Sequence, residues 1–156
     1  MQATLKSIDE FHLRFPRAVF RPELRLITWS PAGVLDDNEA DRVIEFIEAK
    51  ECLPGPPFNR FTDLTGYTSI EISLDHIVRL ARRRKQGYRG PRVKSAFYAL
   101  RLLGVKIAAM YEELMQGSRI EVCTFRDRAT AAEWLGVPAQ VVASPRSRKF
   151  NARIAT

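Results

Sequence analysis

The sequence predicts an α/β fold in one domain, a five-stranded mixed sheet flanked by about four helices. Strand-like and helix-like stretches alternate after an initial strand pair, giving the order β-β-α-β-α-β-α-β-α. The apolar spacing switches between a period of two and a period near 3.6, and cap residues and Gly/Pro breakers fall where it switches. Such alternation calls for right-handed crossovers and a largely parallel sheet. At 156 residues, the chain fits one domain that can bury ~70% of its unfolded surface without metal or disulfide support.

Residues 13–20 and 24–29 read as two strands, with the β-formers Phe15, Val19 and Phe20, then Leu24, Leu26, Ile27 and Trp29, parted by Arg21-Pro22-Glu23. An antiparallel pair follows. Ser30-Pro31-Ala32-Gly33 reads as a turn, and Asp36 with Glu39 three residues on resembles an Asp version of the capping box. Ala40, Val43, Ile44 and Ile47 then share one helical face. After the breaker Leu53-Pro54-Gly55-Pro56-Pro57, residues 58–64 read as a strand, and Ser73 caps a helix to about Gln86 with Leu74, Ile77, Val78 and Ala81 inward. Gly87 and Gly90-Pro91 end it. Residues 93–99 read as a core strand, and a helix follows over about 101–116, stopped by Gly117. Residues 119–125 form another strand. The last helix starts at the cap Asp127, buries Trp134 and Leu135, and stops at Gly136-Val137-Pro138. The domain is placed at 1–140. Residues 141–156 are expected to form a basic tail carrying Arg146, Arg148, Lys149 and Arg153, extended from about Pro145.

Composition narrows the classes. Hydrophobic residues at 46% and charged residues at 28% match a globular chain. The first residues lack the apolar run of a signal peptide, and charges interrupt every apolar stretch before the ~20 residues of a membrane span. A soluble, cytoplasmic protein is expected. Cys52 and Cys123 have no disulfide or zinc spacing and read as free thiols. The net charge of +7 has one source: Arg79 to Lys94 holds eight Lys/Arg and no Asp/Glu.

The turn Gly33-Val34-Leu35-Asp36, the strand Phe61-Thr62-Asp63-Leu64, the loop Thr68 to Ser73 and the ending CTFRDRATAAEWL together resemble the SpoIIAA-like, or STAS, family. Its founding members are bacterial anti-sigma-factor antagonists, and its relatives include cytoplasmic domains of sulfate transporters. The resemblance covers about residues 13–136 and implies a SpoIIAA-like fold. It also implies a regulatory, partner-binding role. The family's switch is a phosphorylated serine at the start of the second helix, within an Asp-Ser-Ser-Gly pattern. Here Ile72 stands at that position, Ser73 matches the second serine, and Glu71 keeps the preceding carboxylate. The resemblance thus implies a module without the usual phosphoserine switch.

No Walker loop, GxGxxG, HExxH or GxSxG is present, and the reading calls for no catalytic residue, cofactor or metal. His12 and His76 lack ligand spacing. The expected partner loop comprises Asp63, Thr65, Thr68, Ser69, Glu71 and Ser73, at a strand's carboxyl end where α/β folds meet ligands. Ser73 reads first as an N-cap. Arg82, Arg83, Arg84, Lys85 and Arg89 are the expected contacts for an acidic protein partner or anionic membrane surface. Absent RNA-binding motifs and interleaved aromatics argue against nucleic acid. The 101–116 helix is apolar around much of its circumference, and Leu103, Ile107, Met110 and Tyr111 read as an interface, a homodimer contact included; the resemblance to SpoIIAA-like proteins implies instead the wall of an apolar-ligand site. The leading expectation is a non-catalytic regulatory or protein-interaction module. The alternative is a carrier of a small apolar or lipid-like molecule that associates peripherally with anionic membranes.

Overall fold

The computed structural model describes residues 17–144. Strands β1 (Ala18–Arg21) and β2 (Leu26–Trp29) pair antiparallel. The breaker between them is a 3-10 turn, Pro22–Leu24, closed by Arg25 in the left-handed region at φ 48°. Strand β3 (Gly33–Leu35) leads into helix α1 (Asp37–Glu51), then β4 (Asn59–Asp63), a 3-10 turn at Leu64–Gly66 and β5 (Tyr67–Ile70). Helix α2 (Leu74–Gly87), β6 (Val93–Tyr98), α3 (Leu102–Leu114), β7 (Ile120–Phe125) and α4 (Arg128–Leu135) complete the alternation. The main sheet has five strands in the order β1-β2-β4-β6-β7, with every pair after the first parallel. It is the mixed α/β sheet that the sequence predicts.

The caps lie at the expected residues. Asp36 Oδ1 accepts from Glu39 N at 2.8 Å, Ser73 Oγ from His76 N at 3.2 Å, and Asp127 Oδ1 from Thr130 N at 3.1 Å. Each side chain satisfies one of the N–H groups that a helix start leaves without a partner. Gly136 ends α4 in the left-handed conformation, φ 72°.

Alternation along the strands builds two cores. Leu26, Phe61, Ala96 and Tyr98 pack on α4 through Ala131, Ala132 and Leu135. Residues of the opposite parity, Ile27, Trp29, Arg60, Thr62, Ser95 and Phe97, face α1, α2 and α3.

Two expectations are corrected. Residues 30–33 and 65–73 do not form only turn and loop: β3 and β5 pair parallel in a second, two-stranded sheet, with a register irregularity at Gly33/Val34. Their strands are only three and four residues long, so neither shows a clear period of two. The packed unit also runs past residue 140, because the turn Ala139–Val142 buries Val141 and Val142 against α4. The 13–16 stretch, His12 and the basic cluster at Arg146 to Arg153 lie outside the described residues. Among the described residues, no helix is long and apolar enough to cross a membrane.

Candidate functional site

The expected partner loop is tied into the fold more than it is presented to solvent. Asp63 is 3% exposed. Its Oδ1 accepts from both the N–H and the hydroxyl of Thr65, and its Oδ2 accepts from Arg128 NH2 at 2.6 Å. Arg128 also donates to Val142 O at 2.9 Å and lies over the Tyr98 ring. Asp63 is therefore corrected from a contact residue to a structural carboxylate that joins the end of β4 to α4 and the turn after it. Thr68, exposed, donates to Gly33 O at 3.1 Å across the small sheet. Ser69 is half-buried on β5, and Glu71 is exposed while its N–H donates to Leu35 O at 2.7 Å.

Ser73 has its cap role and a second one. Its N–H and hydroxyl both donate to Asp37, at 2.8 and 3.1 Å. The backbone hydrogen bond from Ser73, followed by its hydroxyl and the charges of His76 and Arg79, holds the Asp37 carboxyl below the usual carboxylate range against an opposing desolvation effect. A phosphate on Ser73 would meet this carboxylate at contact distance. His76 bridges the same two helices, with Nε2 2.7 Å from Asp41 Oδ1.

The basic segment divides. Arg84 is only 4% exposed and donates two hydrogen bonds to Glu51, at 2.7 and 2.8 Å. It is corrected from surface to core: position 84 continues the inward series Ile77, Leu80 and Ala81. Arg83 pairs with Glu48 at 2.7 Å, and Lys85 donates to Gln116 O at 3.0 Å. Arg82 and Arg89 are exposed.

Beneath the sheet, residues of α1, α2 and α3 line a cavity of about 140 Å³. Its walls include Ile27, Ile44, Ile77, Phe97, Ile107 and Tyr111. Small side chains leave the space: Ala40 and Ala108 from the helices face Ser95 from β6. Of the interface residues predicted on α3, Ile107 and Tyr111 line this cavity, Met110 is half-buried, and Leu103 lies outside it at 50% exposed. Burial raises the pKa of the Tyr111 hydroxyl, against the lowering charges of Arg84 and Arg60.

Leu103 belongs to another feature. With Leu100 (49% exposed) and Leu102 (69%) it forms an exposed apolar ridge at the start of α3. A groove of about 280 Å³ separates Leu100, Leu103 and Gly104 from Thr65 to Ile70. The structure thus brings Thr65, Thr68, Ser69 and Leu103 to one groove and leaves Asp63, Glu71 and Ser73 outside its lining.

Sequence reasoning missed Arg60 and Glu51. Arg60 is 4% exposed on β4 and donates through NH2 to Glu51 Oε2, the same carboxylate that Arg84 holds. The signal for Arg60 was its charge between Phe58 and Phe61, inside a strand read as buried. Among the described residues, no group of three or more His, Cys, Asp or Glu side chains is arranged to hold a metal ion.

No family model matches the chain, and no curated protein does. A solved structure does resemble it: an uncharacterized protein of the DUF3478 family from Shewanella loihica PV-4, described as having a SpoIIAA-like fold. The likeness covers 70% of this chain and 83% of that one, at 15% identity and a TM-score of 0.46.

Proposed function

We propose that this chain is a non-catalytic binding module for a small apolar molecule, held between the main sheet and helices α1 to α3. The observation that carries this reading is the cavity of about 140 Å³. Left empty, a void of that volume costs a core on the order of 3 kcal/mol, because its lining atoms lack contacts on one side. An apolar cavity of roughly 150 Å³ is large enough to hold benzene or xenon. A ligand that fills the space recovers those contacts and stabilises the fold by mass action. The reading also accounts for small residues at Ala40, Ser95 and Ala108 among larger neighbours.

Benzene provides the test. Saturating benzene is expected to raise the Tm of the wild-type protein, and Ala108→Leu, which fills the space from α3, is expected to remove that response without loss of stability. A wild-type Tm indifferent to benzene and to xenon contradicts the reading.

A second reading, a protein-interaction module, is favoured by the ridge Leu100, Leu102 and Leu103 beside the 65–70 groove. Contiguous exposed apolar surface marks contact sites, and a partner segment with apolar side chains fits this one. Phosphorylation of Ser73 gains no support as its switch, since Asp37 already occupies the space beside that hydroxyl. Arg82 and Arg89 remain as cations that would steer an acidic partner. Co-purification from cell extract with wild-type protein and with Leu102→Asp tests this reading. A partner retained by the former and lost by the latter supports it, and identical retention by both counts against it.

A further inference from the structure

We infer that the cleft at the amino end of β4, opposite the 65–73 segment, binds a small organic oxyanion, a carboxylate or phosphate ester, seated on Arg60. Two guanidinium groups, Arg60 and Arg84, are buried there around a single carboxylate, Glu51. Glu51 Oε1 and Oε2 both accept from Arg84, and Arg60 shares only Oε2. One positive charge is left over. Among the described residues, Arg60 Nε and NH1 have no acceptor at all. Burial lowers the Arg60 pKa, yet a guanidinium stays protonated at any working pH, so the charge persists. An uncompensated buried charge is strongly unfavourable, and the two unused donors, which lie on different edges of the guanidinium, can each take an oxygen of an anion by a charge-assisted hydrogen bond.

The surroundings agree. Arg60 and Arg84 line a cleft of about 560 Å³ in which Arg25, Lys50 and Arg89 are further cations, while the only acids among the described residues that line it, Glu48 and Glu51, already hold arginines. The Phe58 and Tyr88 rings lie 4.8 and 5.6 Å from the Arg60 guanidinium, which fixes it by cation–π contact without supplying an acceptor. With Phe20, these rings also give the cleft an aromatic wall, so an organic anion fits better than a bare ion. Arg60 Nε and NH1 are buried, so binding requires the cleft wall to shift; Tyr88, which donates to Pro91 O at 2.7 Å, is part of that wall. Arg60 and Arg84 also line the apolar cavity, but benzene and Ala108→Leu report on that cavity while charged ligands report on the cleft, so either reading can fail alone.

The test is an NMR titration of the Arg60 Nε–Hε signal at low ionic strength with phenyl phosphate, benzoate and inorganic phosphate, and with benzyl alcohol as the neutral control. Saturable shifts with the anions, none with the alcohol, and affinity that falls with added salt are expected. Phenyl phosphate and benzoate distinguish the ester from the carboxylate as the preferred head. Arg60→Met should weaken binding at least tenfold. It leaves the Arg84–Glu51 pair intact and neutral, so the variant should keep its fold, and Arg82→Gln should bind as wild type. Should Arg60→Met fail to fold, Arg60→Lys keeps the charge without the fork and is expected to weaken binding likewise. No saturable shift at Arg60 with any anion, or unchanged affinity in a folded Arg60 variant, overturns the proposal.

Discussion

A carboxylate buried on a strand can be a working acid or a strut, and its partners decide which. Asp63 holds Thr65 and Arg128, and through Arg128 it reaches Val142, so its oxygens are committed to structure. Asp63→Asn should destabilise the fold by about 2 kcal/mol in urea denaturation, below the full cost of breaking a buried pair because Arg128 is partly solvated. Unchanged stability would show that the pair is not a strut. Ser73 makes a comparable statement about pH. Its hydrogen bonds depress the Asp37 pKa, so their stabilising effect is present above the ordinary carboxylate range and is lost as pH falls through the lowered value. The stability difference between wild type and Asp37→Asn should therefore be largest near neutral pH and shrink in acid, which acid-titrated thermal unfolding will check. A difference that grows in acid would reverse this assignment. Ser73 as a cap was legible because Ser is favoured at a helix start wherever it occurs. The Asp63–Arg128 pair was not, since its partners lie 65 residues apart and nothing local signals them.

At the scale of elements, the long periodic segments were legible and the short ones were not. Helices α1, α2 and α4 announced themselves through caps and apolar spacing and α3 through apolar spacing alone, whereas β3, of three residues, and β5, of four, carry too few positions to show a period. Their pairing depends on close approach at one glycine. A Cβ at Gly66 would stand 2.1 Å from Pro31 O, backbone that cannot swing aside. Gly66→Ala should destabilise the protein by about 1–3 kcal/mol, as overpacking does. It should also speed hydrogen exchange at Glu71 N–H, which bonds to Leu35 O at the end of the small sheet. Exchange at that amide unaffected by the substitution would separate Gly66 from the pairing. Helix α3 shows a different limit. Its apolar circumference was visible, but only the fold assigns Ile107 and Tyr111 to the cavity and Leu102 and Leu103 to the surface. Arg84 was misplaced because a run of three arginines reads as one solvated helix end, while helical geometry turns only the last of them, three and four residues on from Ala81 and Leu80, toward the core.

Across the whole molecule, the features split between two ends of one sheet. The carboxyl ends of the strands carry the small sheet and the leucine ridge, and the amino end of β4 carries the arginine pair and its cleft. Between them lies the apolar cavity, which no sequence pattern could announce, because a void is a property of how small residues from three elements happen to face one another. Ala108→Leu should raise Tm or leave it unchanged, since filling a cavity in a compatible site typically adds about 0.5–2 kcal/mol. A marked loss of stability would mean that the space is not available to a side chain. The charge is likewise distributed by the fold: of the cations in the basic segment, Arg84 faces the core and Arg83 is held by Glu48, so the surface field is weaker than the sequence implies.

The central claim is that the space under the sheet holds a small apolar ligand. Methyl NMR on protein labelled at its isoleucine and leucine methyls and titrated with cyclohexane tests it most directly. Saturable shifts confined to the isoleucines that line the cavity, Ile27, Ile44, Ile47, Ile72, Ile77, Ile107 and Ile120, are the predicted result, and they should vanish in Ala108→Leu. Shifts that never saturate, or that appear only at the Leu100 to Leu103 ridge, would contradict it.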